Sequence, residues 1–333
     1  MRRAASLLGM FGLTLLGLIA ATFFIGRVVP IDPVLALVGD KATPEAYAAA
    51  RASLGLDRPL ILQFLSYLGD ALTLDLGRSV LTANPVSEDI ARVFPATLEL
   101  ATTAMILGIG FGVPAGVWAA YRRDLWQDTA VRLVCLAGYS APVFWLGLVG
   151  LLILYVDLGW TPGPGRIAIA LEDDLVHRTG IGPIDAVLSG RGDLMRSALG
   201  HLVLPSAVLG WYAMAYIARM TRSLMIAELS KDYVLAARAK GLSERRVVWR
   251  HALANAAVPL VTVIAITYGH LLEGAVLTET VFAWPGLGFY LTNALLNADT
   301  NAVLGTTLVV GTIFLALNLL SDALYRKLDP RLR

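Results

Sequence analysis

Residues Ser230–Pro259 read SKDYVLAARAKGLSERRVVWRHALANAAVP, a charged, alanine-rich stretch between two apolar runs. Lys231–Lys240 is predicted to be a short helix with Ser230 as its N-cap, since serine is a common N-cap residue. Gly241 would supply the left-handed residue that ends this helix. Ser243 would then cap a second helix that leads toward the next apolar run. The pattern therefore predicts two short helices joined by a glycine turn.

The composition of the chain is that of an integral membrane protein. Apolar residues occupy 57% of the 333 positions and charged residues 16%, and the mean hydropathy is +0.68. A soluble domain averages about 45–50% apolar and about 25% charged residues. The net charge of +2 is too small to suggest a nucleic-acid-binding protein. The single cysteine, Cys135, excludes an intrachain disulfide and a thiolate metal cluster.

Six apolar runs can cross a bilayer, whose hydrocarbon core of about 30 Å needs about 20 residues of helix. They are Ala4–Gly26, Leu100–Ala120, Leu133–Val156, Leu202–Ala218, Ala256–Leu272 and Thr300–Ser321. Glycines inside these runs are predicted to allow close helix packing, because small residues let two backbones approach each other. The expected fold is an all-α integral membrane bundle of six transmembrane helices.

Basic residues are concentrated on one side of these spans. If the N-terminus is placed in the cytoplasm, the cytoplasmic segments hold 17 of the 27 Lys and Arg residues, although they are less than half as long as the opposite segments. These segments are residues 1–3, 121–132, 219–254 and 325–333. The positive-inside rule therefore predicts that both termini are cytoplasmic.

The predicted organisation has four parts along the chain. They are a first transmembrane helix (residues 1–29), a soluble extracytoplasmic insert (30–96), a five-helix transmembrane core (97–325) and a cytoplasmic tail (326–333). In the insert, Thr43 is predicted to cap a helix that Gly55 ends. Residues 221–255 of the core form the cytoplasmic loop between helices 4 and 5.

Polar residues near the spans suggest several roles. His270 and Glu273 are three apart and therefore share one helix face, where they could pair with each other, line a pathway or relay protons. Glu99, near the end of the second span, is expected to be in water. The loop before the sixth span is predicted to be an interfacial turn with an aromatic anchor. That loop contains Trp284, Pro285, Gly286 and Gly288.

Ser230–Pro259 resembles the EAA loop of permeases of binding-protein-dependent ABC importers, in the dipeptide, oligopeptide and nickel branch. The resemblance covers almost the whole chain, because further motifs follow in the order of that family. They read RVVPIDPV, LGLDRPLILQFLSYLGDALTLDLGRSV, PATLELA, TETVFAWPGLG and NLLSDALYRKLDPRLR. One departure is Leu235, which aligns with the glutamate of the general EAA pattern.

The resemblance implies a permease subunit of the bacterial-type cytoplasmic (inner) membrane that forms half of a translocation path. A second permease, usually a non-identical homologue, would form the other half. Two cytoplasmic ATPase subunits would bind ATP and Mg²⁺, and an extracytoplasmic solute-binding protein would deliver the substrate. The residues implied in ATPase docking are Tyr233, Ala236, Ala237, Arg238, Ala239, Lys240 and Gly241. The loop with Trp284, Pro285, Gly286 and Gly288 would lie near the outer gate.

The sequence contains no G-x-x-x-x-G-K-[ST] phosphate loop, so ATP hydrolysis is expected in partner subunits and no enzyme activity or cofactor in this chain. Di- or oligopeptides are the expected cargo, with nickel or a metal chelate, glutathione or another small solute as alternatives. A secondary transporter with His270 and Glu273 as its proton relay is a second class, which would need internal repeats. An intramembrane enzyme is a third, but the four histidines lack metal-ligand spacing.

Overall fold

The computed structural model describes residues 2–28, 34, 38–39, 42–53, 55–176 and 178–328. Within these ranges the chain is mainly helical and contains no strand beyond one isolated bridge between Arg78 and Pro85. The helices are α1 (Arg2–Val28), α2 (Pro44–Ser53), α3 (Leu60–Leu72), α4 (Val86–Tyr121), α5 (Trp126–Ser140), α6 (Val143–Asp157), α7 (Gly182–Leu188), α8 (Gly192–Leu229), α9 (Asp232–Ala239), α10 (Glu244–Val281), α11 (Leu287–Leu296) and α12 (Thr300–Leu328).

Membrane spans account for most of these helices. Among the described residues, α1, α4, α8, α10 and α12 are each long and apolar enough to cross a bilayer, and α5 with α6 forms a sixth, bent candidate. Each of them contains most or all of one predicted apolar run. The prediction of an all-α membrane protein is therefore confirmed for the described residues, with five spans and one bent pair as the candidate for the sixth.

The third span differs from the straight helix that its apolar run, Leu133–Val156, would suggest. The structure ends α5 at Ser140, begins α6 at Val143, and bends the pair by 97°. Pro142 explains the break, since a proline has no N–H to donate and clashes with the preceding turn of a helix. Ala141 before it has an extended backbone with ψ 132°, as the residue before a proline prefers.

The contacts divide the chain into two compact units. One unit comprises Met1–Phe94 and Phe289–Ala316, and the other comprises Pro95–Gly288 and Leu317–Arg333. In the first unit, Ile19, Ala71 and Leu308 form a buried apolar cluster. In the second unit, the main core lies between α4, α8 and α10 and includes Leu100, Leu209, Ile217, Leu271 and Trp284.

The segment between α1 and α4 contains the helix that its sequence predicts. Pro44–Ser53 is helical, and the backbone N–H of Ala46 donates to Thr43 Oγ1 at 3.3 Å. Gly55 has a φ of +65°, and the N–H of Leu56 donates to the carbonyl of Arg51. The predicted cap and the predicted glycine stop of α2 are both confirmed.

Glycines bring α4 and α8 into close contact. A Cβ atom built at Gly108 would lie 2.7 Å from Ala213 Cβ, and one built at Gly116 would lie 2.5 Å from the Ala218 carbonyl oxygen. Gly112 faces the same helix. The prediction of close packing is confirmed at these three positions, whereas a Cβ at Gly110 would have nothing within 4 Å.

We predict that Gly116→Leu destabilises the protein by about 1–3 kcal/mol, the usual cost of forcing extra methylenes into a packed interface. The neighbour is a backbone carbonyl that cannot rotate away. Gly110→Leu is the matched control and is expected to leave stability unchanged. The midpoints of thermal unfolding are compared for the two purified variants in detergent. Equal midpoints would contradict the close packing of α4 against α8 at Gly116.

Candidate coupling loop and outer polar cluster

The segment between α8 and α10 forms the predicted pair of helices with a glycine turn. Gly241 has a φ of +77°, in the left-handed region that favours glycine. Its N–H donates to the Arg238 carbonyl at 2.9 Å, and the N–H of Leu242 donates to the Ala237 carbonyl at 3.3 Å. These two bonds make a Schellman motif, in which the last carbonyls of a helix are satisfied by the turn that follows.

The predicted caps of these helices are only partly correct. Lys231 occupies the N-cap position of α9, and the hydroxyl of Ser230 instead donates back to the Ala227 carbonyl at 2.9 Å. The prediction of Ser230 as the cap is therefore wrong, because α8 continues to Leu229 and uses Ser230 for its own last turn. Ser243 does occupy the N-cap position of α10, although its side chain makes no capping hydrogen bond.

Apolar contacts fix α9 to the helices on either side. Val234 and Ala237 of α9 are buried against Val247 of α10. Leu229 at the end of α8 packs against the same cluster. Since all four side chains lie within one small cluster, α9 is held as part of a rigid corner between α8 and α10.

Polar contacts reinforce this corner. The Tyr233 hydroxyl donates to Glu228 Oε2 at 2.9 Å, and burial together with this carboxylate raises the pKa of Tyr233 above its ordinary value. Arg238 donates two hydrogen bonds to the Glu244 carboxylate, at 2.9 and 3.2 Å. The exposed Arg238–Glu244 pair contributes little stability by itself, but it joins the last turn of α9 to the first turn of α10.

The residues implied in docking fall into two groups in the structure. Ala237 is buried and Tyr233 is half-buried, so these two hold the corner together. The others lie exposed on the surface of the corner and comprise Ala236, Arg238, Ala239, Lys240 and Gly241. Leu235, at the position of the usual glutamate, is also exposed and extends this surface with an apolar side chain.

His270 and Glu273 lie on one face of α10, as the spacing predicts. His270 Nδ1 is 3.8 Å from Glu273 Oε2, which is an ion-pair distance only when the histidine is protonated. The two side chains are 50% and 43% exposed in the isolated chain. The structure thus brings the pair together, and its role in a pathway stays a prediction.

Trp284 is fully buried, so the prediction of an interfacial aromatic anchor is wrong for this residue. Its indole N–H donates to the Ala96 carbonyl at 2.9 Å, inside the core of the second unit. The Arg166 guanidinium lies 5.8 Å from the centre of the indole ring. Tryptophan is common at membrane interfaces, which is why its residue type alone suggested an exposed position.

A buried carboxylate that the sequence analysis missed, Glu279, organises the loop around Trp284. Glu279 Oε1 accepts a hydrogen bond from Thr97 at 2.7 Å, and Oε2 accepts one from the Gly288 N–H at 2.6 Å. A Cβ at Gly286 would overlap this carboxylate, and one at Gly288 would overlap Val276. The two glycines are therefore needed for the close approach of the loop to α10, while Pro285 is exposed.

Glu99 is buried, which corrects the expectation that it lies in water. Its carboxylate forms an ion pair with Arg166 and accepts a hydrogen bond from the Gly182 N–H at 2.8 Å. Arg166 also donates to the Gly180 carbonyl. Because Arg166 lies in a loop 67 residues further along the chain, no local pattern could have indicated this pair.

A second buried ion pair, also missed, lies near the other end of α8. Arg222 donates to both carboxylate oxygens of Asp128 at 2.6 Å, and the Asp124 N–H donates to the same carboxylate at 3.1 Å. Because the interaction is bidentate, it fixes the orientation of the start of α5 relative to α8. Among the residues that the structure describes, no group of three or more His, Cys, Asp or Glu side chains is placed to hold a metal ion.

The membrane spans, with a helix–glycine–helix corner between α8 and α10, define a multi-pass membrane protein. The chain belongs to the family of binding-protein-dependent transport system inner membrane components, which matches residues 112–333. The N-terminal component of the same transport systems matches residues 2–101.

Relatives match along nearly their whole length. The di/tripeptide transport system permease protein DppB of Pseudomonas aeruginosa (strain UCBPP-PA14) is 44% identical over 324 residues, 97% of this chain and 94% of the relative. The probable D,D-dipeptide transport system permease protein DdpB of Escherichia coli (strain K12) is 42% identical over 320 residues, with 96% and 94% covered. The dipeptide transport system permease protein DppB of the same strain is 42% identical over 329 residues, with 98% and 97% covered.

The fold is similar to that of a solved ABC transporter structure. A chain of the inward-facing MetNI methionine ABC transporter superposes with a TM-score of 0.56 and 18% identity, over 74% of this chain and all of that chain. At this level of identity the likeness shows the fold, which is that of an ABC transporter permease.

We predict that Gly241→Val abolishes transport while membrane insertion is kept. A Cβ at Gly241 would have nothing within 4 Å, so the effect comes only from the backbone, where a left-handed residue other than glycine costs about 1–2 kcal/mol. Gly241→Asn is the matched control, because asparagine tolerates this conformation. Solute uptake by the two variants is measured at equal expression in the membrane. Normal uptake by the valine variant would show that transport does not depend on this turn.

We also predict that Arg166→Leu is strongly destabilising, by about 3–5 kcal/mol, because it leaves the buried Glu99 carboxylate without its partner. The double variant Arg166→Leu with Glu99→Gln is expected to recover part of the loss. Arg191→Leu removes an arginine whose ion pairs are exposed and should change stability little. The midpoints of thermal unfolding are measured for the two single variants and the double variant. Similar midpoints for Arg166→Leu and Arg191→Leu would refute a buried pair.

Proposed function

We propose that the chain is one permease subunit of an ATP-driven importer whose substrates are di- or oligopeptides. The observation that carries this proposal is identity of 42–44% along nearly the whole chain to permeases named for di/tripeptides and dipeptides. Membership of the family supplies the transport class. The names of the relatives supply the substrate class, which extends to this chain as a proposal.

The proposed orientation has both termini in the cytoplasm, as the asymmetry of basic residues favours. Residues 30–96 then lie mainly on the extracytoplasmic side, residues 97–325 form the permease core, and residues 326–333 form the cytoplasmic tail. The loop 221–255 is cytoplasmic in this orientation. A solute-binding protein would dock on the opposite side of the membrane.

The exposed surface of the corner is proposed as the docking site of the ATPase subunits. Ala236, Ala239 and Gly241 leave little side-chain bulk, so that the backbone of α9 can be approached closely by another protein. Arg238 and Lys240 place positive charge at the rim of this surface. Two ATPase subunits would bind ATP and Mg²⁺, and no cofactor is proposed in this chain.

Movement of the ATPase subunits would be transmitted by the corner. Because Val234 and Ala237 pack against Val247, a displacement of α9 must also displace the start of α10. Tyr233 passes the same displacement to α8 through Glu228. The corner is thus suited to convert closure of the ATPase dimer into tilting of two spans.

The far part of α10 is proposed to contribute to the path. His270 and Glu273 present half-exposed polar groups on one face of this helix, where they would line the path shared with a second, homologous permease. The loop that follows α10 is proposed as part of the outer gate. Its residues Trp284, Pro285, Gly286 and Gly288 are fixed to α10 and α4 through Glu279, Thr97 and Ala96.

The alternatives to this proposal differ from it in the substrate or in the energy source. One relative is named for D,D-dipeptides, which makes these substrates the first variant of the proposal to test. Nickel or a metal chelate, glutathione or another small solute would require the same importer architecture. A secondary transporter would instead depend on a proton gradient, with His270 and Glu273 as the relay.

The test is uptake by a strain that lacks this gene, compared with the same strain that carries it on a plasmid. We expect the gene to restore uptake of a labelled L,L-dipeptide several-fold. Collapse of the proton gradient at constant ATP should leave this uptake in place, because ATP is the proposed energy source. His270→Ala is the variant that separates the two energy sources if the gradient matters.

Restored uptake of nickel or glutathione, without uptake of an L,L-dipeptide or of D-alanyl-D-alanine, would overturn the substrate class. Uptake of D-alanyl-D-alanine alone would keep the peptide class and restrict it to D,D-dipeptides. Uptake that stops with the gradient while ATP is unchanged would overturn ATP coupling. A wild-type chain that restores uptake of none of these compounds, although it is inserted in the membrane, would contradict the peptide importer itself.

A further inference from the structure

The short helix α3, with the sequence LILQFLSYLGDAL, presents apolar side chains to its surroundings. Ile61, Leu65 and Leu72 are 70%, 54% and 65% exposed, although they are among the most apolar residue types. Leu60 and Leu62 are exposed as well. A helix of an ordinary water-exposed insert would not be expected to leave five large aliphatic side chains uncovered.

The side chains of α3 fall into three sectors around its axis, at 3.6 residues per turn. Phe64, Tyr67 and Ala71 form the sector that packs inside the unit. A second sector is apolar and exposed and contains Ile61, Leu65 and Leu72. A third is polar and contains Gln63, Ser66 and Asp70. This division is typical of a helix that lies between protein, lipid and water.

The packed sector runs antiparallel to the membrane span α1. The rings of Phe64 and Phe23 are 5.4 Å apart, and the Tyr67 hydroxyl donates to Thr22 Oγ1 at 3.1 Å. Ala71 lies in a buried cluster with Ile19. As α3 advances from residue 64 to residue 71, its contacts therefore move back along α1 toward the middle of the span.

The same contacts give the depth of α3 in the bilayer. The apolar window of α1 ends at Gly26, and Ile19 lies seven residues before it, or about 10 Å at 1.5 Å per residue. Leu308, in the same cluster, lies eight residues after the start of α12 at Thr300, or about 12 Å. With the ends of these two apolar spans taken as the membrane surface, both spans put Ala71 about 10 Å below it.

The segment after α3 returns to the surface along α12. Leu76 contacts the position of Gly305, and Asn301 Nδ2 donates to the Arg78 carbonyl at 2.9 Å. The Ser79 hydroxyl then donates to Asp299 just before α12 begins. Contacts with Leu308, Gly305, Asn301 and Asp299 follow in order, so the chain rises steadily toward the end of the span.

We propose that α3 is embedded in one leaflet of the bilayer, with the sector of Ile61, Leu65 and Leu72 in contact with lipid acyl chains. The polar sector would face the headgroups and water. α3 contains no Lys or Arg, so the contact depends on apolar side chains rather than on anionic headgroups. This places residues 60–72 in lipid, in contrast to the soluble insert predicted for residues 30–96, and it does not depend on the substrate.

Spin labels on neighbouring faces of α3 test this placement. Cysteine is introduced at Leu65 or at Ser66 in a Cys135→Ala background, and each variant is purified with its copurifying subunits in lipid nanodiscs. Because Cys135 is buried, the background can retain it if the alanine variant does not fold. We expect the label at residue 65 to collide several-fold more with oxygen, which partitions into lipid, than with a water-soluble nickel chelate.

The label at residue 66 is the matched control and is expected to show the reverse preference. Equal access of the nickel chelate to both labels would place α3 in water and overturn the proposal. Low access of both reagents to residue 65 would mean that a protein covers this face and would overturn it equally. Quenching of a bimane label at residue 65, but not at residue 66, by lipids brominated in their acyl chains is the expected second result.

Discussion

Close backbone contact between α4 and α8 is the constraint on which the second unit depends. Gly108, Gly112 and Gly116 follow the same direction as their partners Ala213, Ile217 and Ala218, so the two spans run parallel. Without an apolar driving force between helices in lipid, such association relies on van der Waals packing, which small residues permit. One end of this helix pair carries the buried Glu99–Arg166 pair, and the other end leads into the corner between α8 and α10.

The two ends of the helix pair are organised by buried charges. At one end, Glu99 and Arg166 join α4 to the long loop before α8, and Glu279 joins the loop after α10 to Thr97. At the other end, the Asp128–Arg222 pair joins α5 to α8. Buried ion pairs are weak evidence for stability, because desolvation offsets most of their attraction. Their geometry makes them suited to fix the orientation of these loops relative to the helices.

The sequence predicts the features that follow from local chemistry. Membrane spans can be predicted because only long apolar helices are stable in lipid. The left-handed turn at Gly241 can be predicted because few residues other than glycine adopt this conformation. The break at Pro142 is also a local effect, although the apolar run around it conceals it. The interfacial position predicted for Trp284 is wrong because its residue type is typical of interfaces, whereas Gly286 and Gly288 let the loop that contains it pack closely against α10.

Neither the long-range ion pairs nor the surroundings of α3 can be predicted from local sequence patterns. Arg166 is 67 residues from Glu99, and Arg222 is 94 residues from Asp128, so only the packed structure brings them together. The apolar pattern of α3 could describe a buried helix as well as a lipid-facing one. Its contacts with Phe23 and Thr22, at known positions along a span, are what distinguish the two.

The central claim is that the corner around α9 is where an ATPase subunit binds. Photo-crosslinking from a reactive amino acid placed at Ala239, in cells that produce the whole transport system, measures this most directly. The account predicts a crosslink to a protein that carries a phosphate-binding loop, and none from the same probe at the exposed Ala137 within α5. Crosslinks to lipid alone at Ala239, with uptake intact, would contradict it.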